Sequence, residues 1–236
     1  MMELYNTILY EPLFNAVVFL YNIIPGNDFG LAIIVLTIAI RLSFFPLSVK
    51  TIQSQRALSK INPKINEIKN KFKNDSQAQS VAIMQLYKEH KVNPFFGCLP
   101  LIIQLPILIA LYSAFGAGFK PENLDALYSF IGNPGFIEPI SLGFLDISSK
   151  SAMLAVVTGI FQFMQLKQNQ ALVSPASDQS GGQKEMQALN KQMLYFFPVM
   201  IIIIGWNLPA ALLLYWLTTT LFSMLEQGYI RTKYKD

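Results

Sequence analysis

The chain has 236 residues, 53% of them hydrophobic and only 14% charged, with a formal net charge of +4. A soluble domain carries about a quarter charged residues, so this composition excludes a water-soluble globule, and its 13% aromatic content excludes disorder. The single cysteine, Cys98, and single histidine, His90, exclude an internal disulfide framework, a cysteine-based metal cluster and a multi-histidine metal site.

Residues 1–27 read as an extracytoplasmic helix lying in the membrane interface. Leu13, Val17, Leu20 and Ile24 share one helical face, with Tyr5, Tyr10 and Tyr21 as headgroup anchors. The segment has neither the basic start nor the small-residue cleavage site of a signal peptide. Pro25-Gly26-Asn27 then turns the chain into a first apolar run.

A bilayer core requires about 20 apolar residues per helix, and runs without charge supply the spans. Residues 28–50 predict the first, the 21 residues between Asp28 and Lys50 being interrupted only by Arg41. Residues 92–119 predict the second and 151–167 the third. The run from Lys191 to Glu226 is too long for one crossing, and Asn207-Leu208-Pro209 divides it into 192–207 and 208–226, since proline removes a donor and disfavours helix just before it. The expected fold is therefore an all-α integral membrane protein of five transmembrane helices. The charge-free runs of the third and fourth spans fall short of the roughly 30 Å core, which suggests a locally thinned bilayer.

Between spans one and two, residues 51–91 carry a basic cytoplasmic segment. Ile61, Ile65, Ile68 and Phe72 form a helical stripe beginning near Pro63. Asn74-Asp75-Ser76 breaks it, and Val81, Met84 and Tyr87 form a second stripe, so the segment predicts a two-helix hairpin; the alternative is a solvated basic loop held near anionic lipid. Residues 120–150 form an extracytoplasmic loop, 168–191 a cytoplasmic loop with a mobile Ser174–Gly182 connector, and 227–236 a cytoplasmic tail. Fifteen of the 18 basic residues fall in segment 50–91, loop 167–191 or the tail, which places the N-terminus outside and the C-terminus in the cytoplasm. No internal repeat is visible.

Arg41 is the one formal charge inside a span. Its cost there is about 2.5–3.5 kcal/mol on insertion scales, so it should face a water-filled space or an acidic partner. No Asp or Glu lies within a predicted span; Glu226 stands at the end of the last. That leaves Arg41 able to meet an anion arriving from elsewhere, unless it snorkels to the inner headgroups. Thr37 lies one turn earlier on the same face. Gln104, Gln162, Gln165 and Thr218 to Thr220 are further polar groups within spans; together with Arg41 they line one groove if they converge, and singly they are interhelical hydrogen-bond donors.

Three stretches and one proline carry a family resemblance: TIAIRLSFFPLSVK, then Pro63, then LYKEHKVNPFFGCLPLIIQLPILIALY, and LPAALLLYW. They resemble the YidC-type membrane protein insertases of the oxidase-assembly superfamily, in the short five-span bacterial form, from about Phe29 to Arg231. The resemblance implies a positively charged hydrophilic groove, open to cytoplasm and lipid but closed outside, with Arg41, Thr37, Gln104, Gln162 and Trp216 as its substrate-binding residues. Ala211 stands where the family often has glycine. The resemblance implies nascent membrane proteins and the lipid bilayer as partners. Any ribosome or Sec-translocon contact would use the basic hairpin, because no long basic tail follows Glu226. No nucleic-acid binding and no cofactor are expected.

No acid pair, nucleophile–base set or metal spacing suggests an enzyme. The rival readings are a small-solute transporter and an assembly scaffold or chaperone without insertion activity. The absence of a transit peptide points to a bacterial plasma membrane.

Overall fold

A computed structural model describes residues 2–93, 99–120, 123–124, 127–173 and 181–233. The chain is mostly helical. α1 (Met2–Tyr5) and a π-helical turn (Asn6–Tyr10) lead directly into α2 (Glu11–Ile23). α3 (Phe29–Ser43) is capped by Asp28, whose Oδ1 accepts from the Leu31 N–H at 3.0 Å, satisfying one of the donors a helix start leaves open. α4 (Phe45–Lys71) follows after a 60° bend at Phe44. Asp75 caps α5 (Ser76–Glu89) through the Ala78 N–H at 2.9 Å. The remaining helices are α6 (Leu99–Gly118), α7 (Ala152–Val173), α8 (Gly181–Gly205) and α9 (Ala210–Lys233). β1 (Ile140–Ser141) and β2 (Leu145–Asp146) pair antiparallel, with Ile140 opposite Asp146.

The core gathers Phe14, Val17, Val18 and Tyr21 of α2, Phe29 and Ile33 of α3, Leu111 and Phe115 of α6, and Ala210 to Tyr215 of α9. Phe29 sits at its centre, edge-on to Tyr21, Phe115 and Phe119 at 5.3–6.2 Å, the geometry the ring quadrupole favours. The buried face of α2 is rotated from the expected Leu13–Ile24 stripe. Tyr21 is buried within it, and its hydroxyl accepts from the Glu138 N–H at 3.2 Å, so it is a packing residue and no headgroup anchor.

Backbone hydrogen bonds tie the 147–149 segment to the start of α9. Ala210 donates to the Ser149 carbonyl and Ala211 to that of Ile147, both at 2.8 Å. Asp28 accepts from the Ser141 hydroxyl at 2.5 Å and the Leu142 N–H at 2.6 Å. This tie approaches α3 so closely that a Cβ on Gly30 would lie 2.7 Å from that of Ser141 and 3.2 Å from Leu214.

The hairpin forms, but differently from its sequence pattern. α4 and α5 bury Ile61, Ile65 and Leu86 together with Val92. Pro63 lies deep inside α4, not in a first turn; it is exposed, so the hydrogen bond it removes leaves a carbonyl within reach of water. Val81 and Met84 point outward, and Leu86 fills the hairpin core instead. The break between α8 and α9 falls at residues 206–209, around the Asn207-Leu208-Pro209 signal. Cys98 and most of the Ser174–Gly182 connector lie outside the described residues.

Among the described residues no single helix is long and apolar enough to cross a membrane. The bent pair α3–α4 qualifies together, and Ile102–Ala117 and Leu194–Gly205 are shorter apolar stretches. The outward faces of these helices are nonetheless apolar: Ile102, Leu105 and Ile109 on α6, Val156 and Ile160 on α7, and Phe196, Val199 and Ile203 on α8 are all exposed.

Candidate functional site

Arg41 occupies the last turn of α3, where the helix turns away from α9. One guanidinium nitrogen donates to the Thr219 carbonyl at 3.1 Å and to the Ser223 hydroxyl. The spacing 215–219–223 places Tyr215, Thr219 and Ser223 along one face of α9. Thr37, one turn before Arg41 and 1% exposed, spends its hydroxyl on the Ile33 carbonyl at 2.6 Å. Across the gap, the Gln104 amide of α6 donates to the Tyr215 hydroxyl.

Thr37, Arg41, Gln104 and Tyr215 border a cavity of about 50 Å³, which Ser48 and Thr51 also line. At roughly 10–15 Å³ of such volume per water, it holds a few water molecules. Its lining also includes Ile40, Phe44, Ile103 and Ile107, so the polar groups face one another across an otherwise apolar chamber. Arg41 Nε and Thr51 Oγ1 are buried without a protein hydrogen-bond partner, and bare polar atoms of this kind are ordinarily met by water.

Three of the five expected groove residues, Arg41, Thr37 and Gln104, therefore meet at one cavity. Gln162 and Trp216 meet each other elsewhere. Trp216 Nε1 donates to Gln162 Oε1 at 3.2 Å, Thr220 donates to the same oxygen at 3.3 Å, and the Gln162 amide donates to Gln165 at 2.8 Å. This second cluster joins α7 to the neighbouring face of α9, one residue step around from the 215–219–223 face. Thr218 lies apart from both, bonded to the Leu214 carbonyl.

Tyr215, Ser223, Ser48 and Thr51 were not picked out from the sequence; their signals were the four-residue spacing to Thr219 and the hydroxyls just beyond the α3 bend. Glu226 is the largest departure. It is 6% exposed and lies inside α9, which continues to Lys233. It takes a hydrogen bond from Ser48 and lies close enough to Arg41 to attract it. Among the described residues no carboxylate is in ion-pair contact with Arg41, and no group of three His, Cys, Asp or Glu side chains could hold a metal.

The comparisons with known proteins agree with one another. The model of the family described as 60Kd inner membrane protein matches residues 19–236. A membrane protein insertase YidC of Fusobacterium nucleatum is 35% identical over 207 residues, covering 88% of each chain. A YidC of Geotalea daltonii is 34% identical over 224 residues, 94% of this chain but 37% of its own. A solved structure of an active YidC insertase, 25% identical, superposes with a TM-score of 0.61 over 96% of this chain and 47% of that one. The chain thus spans most of the Fusobacterium relative and less than half of the other two. A match across nearly the whole of this sequence means that the chain belongs to the 60Kd inner membrane protein family, among the YidC-type proteins.

Proposed function

We propose that this protein inserts nascent membrane proteins into the bilayer, using the Arg41 cavity as the entry point of a hydrophilic groove. The observation that carries this reading is the position of Arg41: half-buried on an apolar helix, bonded to α9, and bordering a small, mostly apolar chamber without an ion-pair partner among the described residues. A guanidinium in a low-dielectric setting attracts a carboxylate far more strongly than it would in water. A translocated segment bearing an acidic residue is thereby drawn to mid-depth, and its apolar flank slides into lipid beside the groove. Thr37 and Gln104 add polar groups to that chamber. Gln162 and Trp216, with Thr220, hold α7 to the adjoining face of α9, away from that chamber.

In this reading the α3–α4 pair and helices α6, α7, α8 and α9 supply five spans, with the N-terminus outside and the hairpin α4–α5 and the C-terminus in the cytoplasm. The exposed apolar faces of α6, α7 and α8 support it, because a contiguous apolar surface of that kind is suited to lipid and not to water. The short apolar stretches Ile102–Ala117 and Leu194–Gly205, about 24 and 18 Å long at helical rise, support a thinned bilayer at the site. The Asp28–Ser141–Leu142 tie and the Ser149–Ala210 bonds favour closure on the outer side. Substrate capture and release require no covalent step. Ribosome or Sec-translocon contact belongs to the basic hairpin.

The test is insertion of a single-span client with an acidic translocated segment into liposomes containing only this protein. Arg41→Ala should lower insertion of acidic clients well below that of neutral ones. Equal insertion of both by the variant would refute the electrostatic role, and binding of clients without insertion by the unaltered protein would favour the scaffold reading.

A further inference from the structure

Glu226 is a buried carboxylate that the insertion reading leaves unused. Its Oε1 is buried without a partner, while the Ser48 hydroxyl of α4 supports the side chain. Ser223, which binds Arg41, lies three residues before it, one turn along the same face of α9. Ser48 and Arg41 both border the cavity. A charge removed from water needs a partner of opposite sign, and Arg41 is the cation Glu226 is positioned to answer. Yet the two stand off: Arg41 is turned to Thr219 and Ser223, leaving its Nε and one Glu226 oxygen unpartnered.

We propose that Glu226 is a resident counter-charge to Arg41, a positioning residue that competes with the client's carboxylate and so sets how acidic a translocated segment must be to dwell at the site. This rests on the insertion reading and deepens it. With Arg41 alone in an apolar chamber, a client carboxylate would be held tightly and released slowly. A buried carboxylate nearby brings the local net charge close to zero. Capture by one acidic group then becomes weak, and the guanidinium has an internal partner to return to as the client departs into lipid. Glu226 acts through Arg41 and need not touch the client.

The experiment uses the full chain in phosphatidylethanolamine–phosphatidylglycerol liposomes, with single-span clients carrying zero, one or two Asp in the translocated segment. The readout is the ratio of one-Asp to zero-Asp client crosslinked to the protein, together with the release rate of each. Glu226→Gln should raise that ratio roughly 5- to 10-fold, within the ordinary range of couplings between sites, and slow release of acidic clients only. Glu226→Asp should restore the original ratio. In an Arg41→Gln background, Glu226→Gln should leave the ratio unchanged. If Arg41→Gln abolishes the acidic preference but Glu226→Gln does not alter it, the counter-charge is refuted and the insertion reading stands. If Glu226→Gln depresses all clients equally and Glu226→Asp fails to rescue, Glu226 is structural and the proposal falls. An acidic preference surviving Arg41→Gln would instead overturn the electrostatic part of the insertion reading itself.

Discussion

Arg41 donates to the backbone carbonyl of Thr219, 178 residues away in sequence, at 3.1 Å. A carbonyl in mid-helix is normally committed to the N–H four residues on, so this contact adds a second bond to it. The same nitrogen also reaches Ser223, and the rigid planar fork of guanidinium is suited to holding a fixed geometry. Lysine would keep the charge but replace the fork with a single flexible ammonium. Arg41→Lys should therefore retain part of the acidic-client insertion that Arg41→Ala loses, while weakening the α3–α9 contact by about 1 kcal/mol. Liposome insertion and thermal unfolding in detergent, measured on the same preparations, separate the two effects.

The Gln162 cluster on the adjoining face of α9 should behave differently. Trp216→Phe removes the indole donor to Gln162 Oε1 but leaves Thr220 bonded to the same oxygen. The expected cost is about 0.5–1.5 kcal/mol of stability, with acidic and neutral clients affected alike, because this cluster does not border the Arg41 cavity. A selective loss of acidic clients in the insertion assay would show that the two faces act as one site.

Arg41, Thr37 and Gln104 could be grouped from the sequence because polar residues are expensive in an apolar helix and tend to face one another. The α8–α9 turn was legible for a similarly local reason, since Pro209 stops a helix. Glu226 was not. In the sequence a charge marks the end of an apolar run, whereas α9 continues two turns beyond Glu226, whose surroundings include Ser48 and Arg41 from another part of the chain. Gln162 and Trp216, expected in the same groove as Arg41, form a separate cluster, because the side of α9 that α7 covers is set by packing and not by composition. In α5, Val81 and Met84 fit a helical stripe as well as Leu86 does; the partner helix selects between the faces.

At Gly30, α3 passes close to the loop that carries β1. A methyl group there would meet the Ser141 side chain, which is itself held by Asp28, and the Leu214 side chain at 3.2 Å. Neither neighbour is free to withdraw without breaking the Asp28 tie or opening the core. Gly30→Ala should therefore destabilise by about 1–3 kcal/mol through overpacking, despite the better helix propensity of alanine. Thermal unfolding in detergent checks the sign, and faster proteolysis of that loop would locate the effect.

The β1–β2 loop region also carries a pH-dependent element. Asp146 at the end of β2 accepts from the Ser148 hydroxyl at 2.7 Å and from the Ser148 and Ser149 N–H groups at 3.0 and 3.2 Å. The Ser148 hydroxyl above all, together with these backbone donors, holds the carboxyl below its ordinary value of 3.8. Its folded-state pKa is thus lower than its unfolded one, so the turn is stabilised in full above about pH 5. That contribution is lost as pH falls through the folded-state value, when the protonated carboxyl no longer favours three donors. Because Asp146 is only partly buried, solvent screens the effect, and the loss should appear as local opening and not as global unfolding. Amide exchange at Ser148 and Ser149 should be constant from pH 7 to pH 5 after correction for intrinsic rates, then lose protection at lower pH. Asp146→Asn should show reduced protection at neutral pH and no further loss on acidification; a variant retaining the same acid-dependent loss would assign it to another group.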